Sequence, residues 1–249
     1  LTVDYYFKNP TFKSLLLPYL DGKISDKAFQ SVLKFRKPAF KKMHQWIYQN
    51  IKGIIASDLD YDIPMQGNPK YLGMIPNPIN LEKLPYIPVT IADKIVIFHG
   101  INTDNYYKKG NDYFEKALEI IAEKYGDKVA IITTRNIPYQ EYIEIYNRAH
   151  ILLDMVYSFD QGFHALEAMA KGKVVFTGAE TEFYEYYQLN EKVNINAKPD
   201  VAYLVEQLSN LIDNPKEIIS ISQNAHVFVE KHHHYIQVAE KYLSTWHKN

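Results

Sequence analysis

The chain has 249 residues, 47% hydrophobic and 23% charged, a balance expected of a core-forming globular protein with one large domain or two small ones. Its 28 basic and 29 acidic residues leave a net charge of −1; no apolar run reaches the ~18 residues of a membrane span, and the lack of cysteine excludes disulfides and thiolate metal sites. The start, LTVDYYFKNP, has neither the basic nor the apolar region of a secretory leader, so a cytoplasmic location is expected; the first residue is Leu1 rather than Met, which suggests a fragment or trimmed chain.

Charge is uneven along the sequence. Up to Lys52 the bases are Lys8, Lys13, Lys23, Lys27, Lys34, Arg36, Lys37, Lys41, Lys42 and Lys52, against Asp4, Asp21 and Asp26. Such asymmetry suits either a solvated basic face or an anionic partner such as a membrane surface. Residues 26–52 carry two helical patterns broken at Pro38, which suits the first turn of the second helix. On that helix Ala39, Phe40, Met43, Trp46, Ile47 and Asn50 follow helical spacing; Ala39, Phe40, Met43 and Trp46 are expected to face a core, with Lys41 and Lys42 opposite. GIIAS (53–57) and YLGMIPNPIN (71–80) read as strands, and the proline-spaced stretch 81–93 as an interdomain linker.

Beyond the linker a regular rhythm sets in. KIVIFHG (94–100), KVAIITT (128–134), HILLDMV (150–156) and KVVFTG (173–178) read as strands. Helices over 110–125, 139–149 and 164–172 alternate with them, and 199–214, 215–232 and 235–249 follow as three more. Near-continuous apolar strands separated by helices predict an α/β fold, a Rossmann-like parallel sheet covered on both faces. In such a sheet ligands bind beyond the carboxyl ends of the strands, which selects the loops 100–110, 133–138, 157–164 and 177–182.

Two loops have chemistry suited to an anion. Lys109 and Gly110 precede a helix, where free amides and an ammonium could neutralise a diphosphate; neither GxxxxGK[ST] nor GxGxxG is present, so a nicotinamide cofactor is not expected. Gln161-Gly162-Phe163-His164 forms a turn opening the next helix, and Gly162 would let a phosphate approach the backbone. Glu167 is a lone acid among Ala165, Leu166, Ala168, Met169 and Ala170. It could complement the helix dipole, or accept bonds from two adjacent hydroxyls such as those of a ribose. Asp154 ends the preceding strand and suits a ligand contact or a turn equally.

GFHALEAMAKGKVVFTG resembles the signature segment of GT-B glycosyltransferases of family 4 (group 1), E-G-F-G-x-x-x-x-E-A-M-A-x-G-x-P-V. MIPNPIN resembles the family's I-P-N-G-V-D hinge strand, and the KKG ending in Gly110 its lysine-glycine pair. The resemblance implies a retaining, metal-independent transferase without a cofactor, moving a sugar from a UDP- or GDP-sugar to a glycan or lipid-linked acceptor. It implies that Glu167 holds the ribose, that Gly162, Phe163 and His164 meet the diphosphate and sugar, and that Lys109 pairs with the diphosphate. Gly100 would lie beside the ligand, and Arg135, Asn136 and Ile137 would contact the base. His164, Glu167 and Lys109 are the expected catalytic set.

The sequence also departs from that pattern. Gln161 stands in the register of the family's first glutamate and can hydrogen-bond a sugar hydroxyl but cannot carry charge; Ile101 follows Gly100 where an arginine is common. About ninety residues precede the donor domain, fewer than a full first domain requires. The implied organisation is a partial N-terminal, acceptor-side Rossmann-like domain and hinge over 1–85 and a donor domain over 86–234. A helix over 235–249 would then cross back. The basic N-terminal helices would make peripheral membrane contact, and no nucleic-acid partner is expected. His232, His233 and His234 read as a solvated surface, since consecutive histidines cannot converge on one metal ion. Two rival readings are a non-catalytic nucleotide- or phosphate-binding module and a nucleotide-sugar epimerase.

Overall fold

Strands form where the apolar runs occur, and all pair in parallel. The computed structural model describes residues 2–11 and 13–248; Leu1 and Asn249, at the ends of the expected first and last segments, and Phe12 lie outside the described residues. The N-terminal part holds helices α1 (Thr2–Lys8), α2 (Leu17–Leu20), α3 (Gln30–Leu33) and α4 (Pro38–Asn50). A small β-α-β unit follows: β1 (Ile54–Ala56), α5 (Leu59–Met65) and β2 (Tyr71–Met74), the two strands parallel.

The larger unit runs β3 (Ile95–Ile101), α6 (Tyr106–Lys109), α7 (Asn111–Tyr125), β4 (Val129–Arg135), α8 (Tyr139–Arg148), β5 (Ile151–Leu153), α9 (Phe163–Ala170), β6 (Val174–Thr177), α10 (Thr181–Tyr187) and β7 (Ile195–Asn196). Its five strands are ordered β4-β3-β5-β6-β7, all parallel. Every residue of β5 and β6 is buried, as expected of central strands covered on both faces. One face packs Phe98, Leu152 and Val175 against Leu166, Met169 and Phe228; the other packs Ile97, Ile151 and Phe176 against Phe114, Leu118 and Leu204. Helices α11 (Val201–Asp213), α12 (Pro215–His233) and α13 (Tyr235–Lys248) close the chain.

The two units are joined at several points. Lys13 is fully buried, its ammonium donating to Asn196 Oδ1 at 2.9 Å and to the carbonyls of Val156 at 3.2 Å and Ala197 at 2.5 Å. Burial pulls that ammonium down to about 8, against the attraction of Glu180. From the basic N-terminal set, then, one lysine serves the interior. Residues 81–93 are not a loose linker. Tyr86 packs on His226, Val89 is buried and Ile87 N–H donates to Lys171 O. Tyr86 also fills the space a side chain at Gly172 would need.

Helix α4 departs from its expected role. It has no buried residue, and Met43, Trp46 and Ile47 are 47%, 66% and 40% exposed. Helical spacing marks an apolar stripe, but only Phe40 on it is half-buried, against Phe35, and Met43, Trp46 and Ile47 stay exposed. A cavity of about 610 Å³ opens beside it, lined by Val3, Leu15, Val32, Phe35 and Phe40 among others.

The histidine run also departs from expectation. Ile79 N–H donates to His233 O and Tyr235 N–H to Ile79 O, tying the start of α13 to the segment after β2. His233 is 3% exposed, with Nδ1 2.8 Å from Asn77 O, which leaves Nε2 buried without a partner. The ring is neutral with its proton on Nδ1, because a carbonyl can only accept. Burial pulls His233 down to about 4. An unfolded histidine titrates near 6.5. Between these values the unfolded chain binds the extra proton, so stability is full above about pH 6.5 and is lost as pH falls toward 4, by roughly 3 kcal/mol. His233→Gln keeps a donor for Asn77 and does not titrate. Its melting temperature is expected to fall less than the parent's between pH 7 and 4.5; parallel curves would contradict this.

Candidate active site

Three segments at the carboxyl edge of the large sheet meet around Asp154, the residue after β5. Its side chain is 2% exposed. Asp154 Oδ1 lies 2.8 Å from Lys109 Nζ and 3.4 Å from His164 Nδ1, and Oδ2 accepts from Thr177 Oγ1 at 3.4 Å. Burial opposes ionisation, but the Lys109 charge, and then His164, outweigh it and hold Asp154 below the usual carboxylate range. The His164 contact has ion-pair distance without hydrogen-bond geometry, since Nδ1 has no hydrogen-bond partner. His164 Nε2 instead bonds the Tyr142 hydroxyl.

Lys109 reaches this point through a backbone only glycine permits. Lys109 ends α6, and Gly110 then turns the chain at φ 73° into α7. A Cβ on Gly110 would lie 2.6 Å from Val156 Cβ, so both conformation and space demand glycine. Val156 N–H donates to Lys109 O at 2.8 Å, which fixes the lysine backbone independently of its side chain.

Gly162 contrasts with Gly110. It caps α9 at φ −76°, a value any residue can adopt, and a Cβ there would meet nothing within 4 Å. Neither backbone nor packing requires glycine. No side chain caps the helix, so its first amides lack a side-chain partner. Phe163 is 51% exposed. Glu167, one turn past His164 on the same face, is half-buried near Tyr142 and Tyr146, and its carboxylate makes no hydrogen bond or ion pair among the described residues.

The other predicted residues have different surroundings. Gly100 lies inside β3, where the Tyr142 ring occupies the space of a Cβ, so its smallness serves packing. The Gln161 side chain is buried and donates to Gly178 O at 2.7 Å, so its amide is spent on the fold. Arg135 pairs with Glu115, which also accepts from Tyr106. Asn136, at φ 48°, bonds Thr103, while Ile137 is half-buried. These three form a second group at the ends of β3 and β4, not bonded to the Asp154 group. None of the predicted residues lines the cavity beside α4, so the chemistry and not the cavity marks the site.

Sequence reasoning missed the contacts behind the signature turn. Asp60 Oδ2 accepts from Ser158 Oγ at 2.6 Å and Phe159 N at 3.1 Å, while Asp160 Oδ2 accepts from Leu59 N at 3.0 Å. These reciprocal bonds hold α5 against the loop before Gln161. Carboxylate oxygens of Asp58, Asp60 and Asp160 lie within 4.8 Å of one another, and burial pushes Asp60 up to about 7. No local motif signals this, because the partners are about a hundred residues apart in sequence.

Residues 107–244 match the family model described as glycosyl transferase-like. Among solved structures, TarM has 14% identity and a TM-score of 0.60, over 83% of this chain and 46% of TarM. Sucrose-phosphate synthase from Thermosynechococcus elongatus has 16% identity and a TM-score of 0.56, over 87% of this chain and 65% of that one. HepE from Anabaena, in complex with UDP-glucose, has 12% identity and a TM-score of 0.58, over 80% of this chain and 64% of that one. These likenesses establish a GT-B type α/β fold, and this chain spans roughly half to two thirds of each neighbour's length. No curated protein matches the sequence. Among the described residues, no helix is long and apolar enough to cross a membrane.

Proposed function

The chain belongs to the glycosyl transferase-like family, and from that premise we propose that it moves a sugar from a nucleoside diphosphate sugar to a hydroxyl of a glycan or lipid-linked acceptor. The observation that supports this reading is that Lys109 and His164, in the first turn of α9, meet on Asp154, while Glu167, one turn further along that helix, makes no hydrogen bond or ion pair among the described residues. An ammonium and a helix start without a side-chain cap at the same sheet edge suit a diphosphate, and a carboxylate one turn along the helix suits a ribose diol. In the reaction the leaving diphosphate gains charge, which Lys109 and the helix terminus would stabilise. His164, beside Asp154, would contact the transferred sugar.

The finer parts of the proposal follow the resemblance to family 4: retention of anomeric configuration, no required divalent cation, and UDP or GDP as the base-bearing group. UDP is favoured in the test because HepE and S. aureus TarM are described as complexes with UDP or UDP-glucose. Residues 86–234 would form the donor unit, 1–85 part of an acceptor-side unit with its hinge, and 235–249 the returning helix. Arg135, Asn136 and Ile137 would approach the base. The exposed α4 face, with Lys41 and Lys42 beside it, would meet either acceptor-side segments or an anionic membrane surface.

Calorimetric titration with UDP, GDP and ADP tests the reading. One is expected to bind at least tenfold more tightly than the others. If none binds, the proposal fails; tight binding without transfer from any labelled sugar nucleotide would favour the non-catalytic module.

A further inference from the structure

We infer that Asp154 is the resting counter-ion of Lys109 and sets how tightly the site holds a diphosphate. This deepens the proposed reading and rests on it. Asp154 is almost wholly buried, and a carboxylate so placed must be paired. Its partners come from three segments: Lys109 at the end of α6, His164 in the first turn of α9, and Thr177 at the end of β6. A diphosphate drawn to the same edge competes with a carboxylate already in place on the lysine.

The surrounding contacts distinguish a charge role from a holding role. The Lys109 backbone is pinned by Val156 and by the turn at Gly110. His164 is carried by α9 and tied to Tyr142. Asp154 is therefore not needed to bring either side chain to the edge. What it supplies there is negative charge. Its carboxylate neutralises the Lys109 ammonium, and restoring a full positive charge a few ångström from a bound anion strengthens binding by an order of magnitude or more even at moderate effective dielectric. Asp154 thus weakens the hold on small anions and on the diphosphate product, favouring release after transfer.

Inorganic pyrophosphate is the first probe and UDP the second, titrated by calorimetry into the wild-type chain, Asp154→Asn and Asp154→Ser. Two uncharged replacements of different size keep the test open if one fails to fold. Both folded variants are expected to bind pyrophosphate at least tenfold more tightly than wild type. On a Lys109→Met background the gain from Asp154→Asn is expected to vanish, which a merely structural role would not produce. Unchanged or weaker pyrophosphate binding overturns the inference, as does a gain that survives on Lys109→Met. Tighter pyrophosphate binding with no affinity for UDP, GDP or ADP in any protein would uphold the counter-ion and sink the transferase reading. UDP binding to wild type with no gain in the variants would do the reverse.

Discussion

Lys109→Met is expected to lower glycosyl transfer by about 10²- to 10³-fold, the usual cost of removing one preorganised group that meets developing charge. The same substitution is expected to weaken UDP binding about tenfold or more. It also costs stability, because Asp154 stays buried with His164 and Thr177 as its remaining partners. Breaking a buried pair from one side costs up to about 3–5 kcal/mol. The two effects separate in the double variant Lys109→Met/Asp154→Asn. Its melting temperature is expected to recover toward wild type, since no uncompensated charge remains, while transfer stays low. Steady-state kinetics beside thermal melts check both parts. A single variant with transfer within threefold of wild type would remove Lys109 from the site.

The repeating strand-and-helix rhythm after Lys94 was legible because each central strand is a continuous apolar run and each helix has an amphipathic period. The turn at Gly162 that opens α9 was legible for a similar reason, since helix starts and glycines are local signals. Short elements escaped: β7 has two residues and α6 four, too few to show a period. The largest misreading was the face of α4, where spacing identified Met43, Trp46 and Ile47 as a stripe but could not supply a partner to cover it. Gly100 and Gln161 show a second limit. Both occupy positions that suit a ligand, yet Tyr142 claims the space at one and Gly178 the amide of the other. Asp154 was visible as a polar residue ending a strand. That Lys109, 45 residues earlier, and His164 share one of its oxygens is a property of the folded sheet edge alone.

Glu167→Ala is expected to lower nucleotide affinity about 10- to 100-fold, the range for removing a charged hydrogen-bond acceptor, with a melting temperature unchanged or slightly higher. The two halves of that prediction rest on one observation. Glu167 makes no hydrogen bond or ion pair among the described residues, although its helix is otherwise small and apolar and it lies near Tyr142 and Tyr146. A carboxylate kept half-buried for the fold would have a partner, and its loss would cost stability. One kept for a ligand would cost binding instead, and alanine favours the helix. Glu167→Gln retains one acceptor oxygen and should fall between alanine and wild type in affinity. Calorimetry with the tightest nucleotide and thermal melts of the same preparations decide the matter. A variant that melts several degrees lower yet binds as well as wild type would make Glu167 a structural residue and leave the ribose contact without a candidate.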